Sequence, residues 1–384
     1  MKKVLINPIQ GGNEDIVCLP LGYLSAKWDA PVIDWNTDPK SVLDTPNGSE
    51  VLVSVQSRSW SEADKLLQEY PEARSVTTPI DVQCCYKFLP WRENLFVEDL
   101  PAVPRYDLFS SFPLLKEKWK AGEWPYALLT SYGCPYKCTY CDARERGWKA
   151  RSIDHLRAEL DQAVNEYGVR YITTLDDCIN LREDHVVAVS ELFSEYDIEW
   201  ACTNGLRADR LTEKSAKAMA DSGCKTVGFG IESSNNDVLA AIVKGEVVED
   251  LERGLAIARN YFDSVSGYII LGLPGSDYEK DAQTLNWAIG QGIYIHVSYY
   301  VPNEDGDLAS DTTFYGASAA PSHMYDAEKQ QKLMRRARGL SWGTRRSIVD
   351  NTIARAKLLL TRGPKVTWRY VRMDLKKLKA KLSR

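Results

Sequence analysis

Histidine is scarce in this chain, with four in 384 residues, and none precedes His155. Long apolar runs are missing too: the stretch around Tyr268 to Leu273 is far shorter than the roughly 20 residues that a membrane-spanning helix needs. The first ten residues, MKKVLINPIQ, do not make a signal peptide, because Asn7 and Pro8 end an apolar run of only three. A cytoplasmic location is therefore the expectation. No repeat of solenoid period and no long low-complexity tract is present. What is there is 44% hydrophobic and 26% charged, enough to bury a core, which excludes disordered, collagen-like and disulfide-scaffold classes. The length suits a barrel-sized domain with extensions.

The net charge of -5 conceals an asymmetry. Residues 329–384 hold 18 Lys and Arg against two acids, while residues 1–328 hold 30 against 51. The basic end, with Trp368 and Tyr370 among residues such as Arg335, Arg345, Lys365 and Arg372, could track a phosphate backbone, or form solvated helices on an acidic body.

Short β-branched runs at Val4 to Asn7, Pro31 to Trp35, Val51 to Val55 and Ser75 to Thr78 predict a small α/β domain over residues 1–100, with a helix at Ser61 to Tyr70. Pro101, Pro104 and Pro113 mark 101–125 as a linker. From 126 to 301 six strand candidates alternate with helices: Ala127 to Ser131, Tyr171 to Leu175, Ile198 to Thr203, Thr226 to Ile231, Gly267 to Leu271 and Ile293 to Tyr300. This order implies parallel pairing, with a site at the carboxyl ends of the strands. Residues 302–384 read as a lid loop followed by basic helices.

The most specific signal is GCPYKCTYCD, where Cys134, Cys138 and Cys141 stand in a C-x3-C-x2-C spacing after the first barrel strand. Three thiolates from one loop can hold three corners of a cubic 4Fe-4S cluster and leave the fourth iron open. Structural zinc is the alternative, but it takes four ligands, and the next candidates are His155 and the distant Cys178.

With this loop the sequence resembles the radical S-adenosylmethionine (SAM) superfamily, in which Tyr140, before the last cysteine, is commonly aromatic. The resemblance covers roughly Tyr126 to Val301 and implies a partial (βα)6 barrel. It further implies that SAM chelates the open iron and is cleaved to a 5'-deoxyadenosyl radical, with an electron donor such as flavodoxin or ferredoxin as partner. TLDDC, NGLRADRL, FGIESSN and ILGLPGS match at successive strand ends. By resemblance Asp176, Asp177, Arg207, Glu232 and Ser233 would line the SAM site, and Gly272, Pro274 and Gly275 would pack near the adenine. The set looks most like the branch whose barrel follows a cobalamin-binding-type domain. VLINP and LPLGYLSA sit where that branch has similar segments, but its D-x-H-x-x-G motif is absent, which argues against bound cobalamin.

No cysteine follows Cys224, which argues against auxiliary C-terminal clusters, and Cys18, Cys84 and Cys85 do not give the separated positions of a methylthiotransferase. Cys202 and Cys224 read as core thiols. Cys178 could return a hydrogen atom to a substrate radical, and His296 and Tyr299 could point into the barrel as base or donor. The expected reaction is a rearrangement or isomerisation begun by hydrogen-atom abstraction, on a nucleotide or nucleic acid such as a hypermodified viral DNA base. The alternatives are a cobalamin-dependent methyltransferase and a nucleic-acid-binding protein with a structural metal.

Overall fold

The computed structural model describes residues 2–8, 18–37, 48–54, 60–78, 94–96, 100–141, 143 and 147–300, with residues 328, 329, 332, 333 and 335 beyond them. Cys84, Cys85, the lid loop and nearly all of the basic extension lie outside the described residues.

The chain opens with β1 (Lys3–Asn7), α1 (Leu19–Trp28), β2 (Val32–Asp34), β3 (Glu50–Ser54), α2 (Trp60–Glu69), β4 (Arg74–Thr77) and β5 (Asn94–Phe96). Val4 to Ile6 and Leu52 to Val53 are buried without alternation, as strands covered on both faces must be. The strands form one parallel sheet in the order β2-β1-β3-β4-β5. The order reverses at β1 and β3, the place where sheets of this kind bind ligands beyond their carboxyl ends.

Residues 101–125, which the prolines mark as a mere connection, instead hold a packed helix, α3 (Phe112–Ala121). Pro113 stands in its first turn, where the missing N–H costs nothing. Tyr106 and Trp119 are fully buried and meet edge to face at 5.6 Å. Both also pack on Tyr126 of the next sheet, at 5.6 and 5.1 Å.

The second sheet comprises β6 (Tyr126–Leu128), β9 (Tyr171–Thr174), β10 (Glu199–Leu206), β11 (Cys224–Glu232), β12 (Ser264–Leu271) and β13 (Tyr294–Tyr299), all parallel and adjacent in chain order. A small antiparallel pair, β7 (Ser131–Tyr132) and β8 (Lys149–Ala150), interrupts it after β6. The connecting helices are α4 (Ile153–Leu160), α5 (Glu183–Phe193), α6 (Glu213–Asp221), α7 (Asn236–Ala241), α8 (Val248–Tyr261) and α9 (Tyr278–Gln291). With β6 and β13 at opposite edges, this is a partial (βα)6 barrel. The first barrel strand stops at Leu128, short of Ser131, because the Thr130 and Ser131 amides bond a side chain instead of a neighbouring strand.

A buried polar seam joins the two sheets. Tyr23 of α1 and Tyr126 of β6 both donate to the Glu159 carboxylate, at 2.6 and 3.0 Å, and Arg151 pairs with it at 2.7 Å. Arg151 also donates to the carbonyls of Leu129 and Ala102, each at 2.8 Å. One continuous core runs past this seam, from Leu5 and Leu24 through Trp119 to Leu285. Among the described residues no helix is long and apolar enough to cross a membrane.

Candidate active site

The cysteine loop follows β6 and β7, and its first residues meet the two acids that follow β9. Asp176, buried at 2% exposure, accepts the hydroxyls of Thr130 and Ser131, each at 2.7 Å, and both of their N–H groups. Asp177 accepts from the N–H of Gly133 at 2.7 Å. The two acids thus fasten the strand end to the first residues of the loop. Thr130 Oγ1 also lies 3.0 Å from Nε2 of His185, whose ring meets Trp148 edge-on. Burial raises the Asp176 carboxyl to about 6 and depresses the His185 imidazole to about 4.

Residues 242–247 lie against the cysteine loop. They alternate in burial, and the alternation is inverted: Ile242, Lys244 and Glu246 point inward, while Val243, Gly245 and Val247 stand exposed. The N–H of Thr139 donates to the Ile242 carbonyl at 3.0 Å, and Cys138 Sγ approaches the Lys244 carbonyl at 4.0 Å. Arg207 donates to the carbonyls of Lys244 and Gly245, at 2.9 and 3.1 Å, and its guanidinium covers the Tyr136 ring at 3.5 Å.

The inward side chains form a chain of buried ions. Lys244 Nζ lies 3.2 Å from Glu232 and 3.5 Å from Glu246, and Arg207 reaches Asp209 at 2.9 Å and Glu246 at 3.8 Å. Tyr140 donates to Glu232 at 2.9 Å, and Glu246 accepts the N–H groups of Ala208 and Asp209 at 2.7 and 3.2 Å. Burial opposes the charge on Lys244, but Glu232 and Glu246 outweigh it and keep the ammonium protonated.

The three loop thiols differ. Burial raises Cys138 and pushes Cys141 up to about 12, while a hydrogen bond from the Cys178 thiol leads the lowering of Cys134 to about 7. Among the described residues no three His, Cys, Asp or Glu side chains converge as the ligands of one ion would. A cubic cluster asks for something else, one thiolate at each of three irons.

The remaining expected residues fall into two groups. Ser233 is buried beside Thr284 at 3.3 Å, and Gly272, at φ 76°, donates to Asp281 at 2.8 Å in the turn that carries Pro274 and Gly275, so these stay at the strand ends near Glu232. Cys178, 1% exposed, is hydrogen-bonded to Cys134 of the cysteine loop. His296 and Tyr299 do not share a face: odd and even positions of a strand alternate, so His296 stacks on Tyr268 at 5.2 Å while Tyr299 joins the core. Arg207 and Asp176 are taken up by protein groups. Lys244, Glu246 and Tyr268 escaped the sequence reading. The first two sit in a polar loop that reads as solvated, and Tyr268 in an apolar strand.

Residues 128–288 match the family model of the radical SAM superfamily. The barrel belongs to that superfamily. A radical SAM barrel takes a 4Fe-4S cluster and SAM. The residues fit the cluster: three thiols on one loop, fastened at its entry by two acids and faced by two buried cations, Lys244 and Arg207.

An uncharacterized methyltransferase of Pyrococcus horikoshii is 31% identical over 253 residues, which is 65% of this chain and 50% of that protein. Cytidylyl-2-hydroxyethylphosphonate methyltransferase of Streptomyces wedmorensis is 29% identical over 185 residues, 45% of this chain and 34% of that protein. The chain thus spans half or less of the length of these curated relatives. Two solved structures share the fold beyond the radical SAM barrel. TsrM from Kitasatospora setae, a radical SAM methyltransferase with cobalamin and a 4Fe-4S cluster bound, superposes with a TM-score of 0.58 at 14% identity, over 78% of this chain and 75% of that one. OxsB, with aqua-cobalamin and SAM bound, gives 0.56 at 15%, over 95% and 63%.

Proposed function

We propose that this chain is a radical SAM methyltransferase that works with a corrinoid held at its N-terminal sheet. The observation that carries the reading is architectural: a parallel sheet with a switch point at β1 and β3 is joined by a buried seam to a barrel whose mouth holds a fastened three-cysteine loop. The relatives named methyltransferases support transfer of a methyl group. The rearrangement expected from the missing cobalamin motif gives way to this reading, since the relatives described above are named methyltransferases.

A bound cluster supplies the single electron that cleaves SAM. The chain's own residues hold the geometry. Asp176 and Asp177 fix the loop entry, Arg207 and Lys244 act as positioning residues behind the loop, and Glu232 orients Tyr140. Ser233 and the turn at Gly272 to Gly275 would hold the ribose and adenine of SAM. His296, exposed and stacked on Tyr268, is the substrate-side candidate. At the carboxyl ends of β1, β2 and β3, Asn7, Asp34 and Ser54 are buried and bonded to one another or to Asn36, Ser111 and Cys18, so they would form a fixed polar floor under a corrinoid, with no imidazole among them to bind cobalt.

The test is anaerobic reconstitution with iron, sulfide and hydroxocobalamin, then reduction with dithionite in the presence of SAM. Corrinoid absorbance that stays with the protein, together with 5'-deoxyadenosine and S-adenosylhomocysteine that vanish in Cys138→Ala, is the expected result. 5'-Deoxyadenosine without retained corrinoid or S-adenosylhomocysteine would return the chain to hydrogen abstraction alone.

A further inference from the structure

Lys244 is 5% exposed, and the backbone around it makes room for its side chain. Position 230 of β11 is glycine, and a Cβ there would lie 2.7 Å from Oε1 of Glu232 and 2.9 Å from Nζ of Lys244. Next to the lysine, Val243 holds φ at 54°, a left-handed conformation that costs a β-branched residue energy. The ammonium sits 3.2 Å from Glu232 and 3.4 Å from the Tyr140 hydroxyl, in the loop that carries the three cysteines.

Fastening 242–247 to that loop does not account for a buried lysine. The backbone already does so: the Thr139 N–H donates to the Ile242 carbonyl, and Arg207 donates to the carbonyls of Lys244 and Gly245. None of these bonds uses the Lys244 side chain. A buried ion pair also adds little to stability over a well-packed apolar side chain of similar volume. What the lysine adds is a fixed positive charge where a low dielectric lets it act over a distance. Its field reaches the loop: burial raises the Cys138 thiol, Lys244 and then Arg207 oppose that rise, and Glu232 adds to it.

We propose that Lys244 tunes the iron–sulfur group that Cys134, Cys138 and Cys141 would hold: its buried charge raises the reduction potential, and Glu232 is the counterweight. This rests on the cluster-binding part of the reading above. Three thiolates already make the group negative, and reduction adds one electron and one further negative charge, with no bond formed or broken. A nearby ammonium therefore favours the reduced form over the oxidised one, and a nearby carboxylate does the reverse.

The test is a potentiometric titration of the full-length reconstituted protein, without SAM, with dithionite as the electron source and the paramagnetic resonance signal of the reduced cluster as the readout. At the midpoint of the unsubstituted protein, Lys244→Met should hold about tenfold less reduced cluster relative to oxidised, a fall of about 59 mV. Glu232→Gln, which keeps an oxygen to accept from Tyr140, should move the midpoint upward. Unmoved midpoints in both variants would overturn the proposal, and so would shifts of the same sign, which mark a disturbed loop instead of a lost charge. If Lys244→Met takes up no iron, the direction of the Glu232→Gln shift decides. Absence of a reducible 4Fe-4S cluster from the unsubstituted protein would strike the cluster reading and the proposal with it, whereas a reducible cluster whose midpoint ignores both substitutions strikes the proposal alone.

Discussion

Thr130 offers one hydroxyl to two groups that titrate in the same range. It donates to Asp176 and stands 3.0 Å from His185. His185 is depressed by burial to about 4, so the folded state resists its protonation: the stability it contributes is full above its ordinary value near 6.5 and drains away as pH falls toward 4. Asp176, raised to about 6, has the opposite sign, favouring the fold as pH falls through 6. In His185→Gln only the second effect remains. The wild type should lose up to about 3 kcal/mol relative to this variant between pH 6.5 and pH 4, read from urea midpoints. At this scale the sequence was clearest where spacing itself is chemistry. Three cysteines in one loop can be read from the chain, whereas Lys244 and Glu246 cannot. Alternation shows that two faces of 242–247 differ, but it does not say which one is buried, and hydrophobicity would choose the valines.

Elements were legible where one period dominates. Thr212 caps α6 as its side chain predicts, and the spacing of apolar residues marks α8. The segment 101–125 was not legible, because three prolines outweigh a buried tyrosine and tryptophan that only the second sheet explains. The glycine at position 228 of β11 shows what such strands conceal. A Cβ there would lie 2.8 Å from the Tyr268 ring and 3.1 Å from Ser266 Oγ. Tyr268 lies flat across β11, its hydroxyl bonded to the Thr203 carbonyl on β10 and its ring stacked on His296 of β13. Gly228→Ala should therefore cost about 1–3 kcal/mol by thermal denaturation. Gly290→Ala, which meets nothing within 4 Å, serves as the control.

For the molecule as a whole, the alternation of strands and helices carried the parallel order and the barrel, and the cysteine loop carried the superfamily. The reaction was less accessible, since a missing histidine motif removes one way of holding a corrinoid while the sheet order that could serve it is recorded in backbone pairing. The seam of Tyr23, Tyr126, Arg151 and Glu159 has its own consequence at this scale. Arg151 and Glu159 both belong to the barrel, and Tyr23 of α1 caps their carboxylate, so melting of the N-terminal half uncovers a buried ion pair and takes one of its hydrogen bonds. Calorimetry should record a single cooperative transition for the intact chain. Glu159→Gln should weaken it by about 3 kcal/mol and split the heat absorption in two. The two sheets are then thermodynamically one folding unit, so the barrel cut free at residue 101 should accumulate as aggregate instead of as an independent domain.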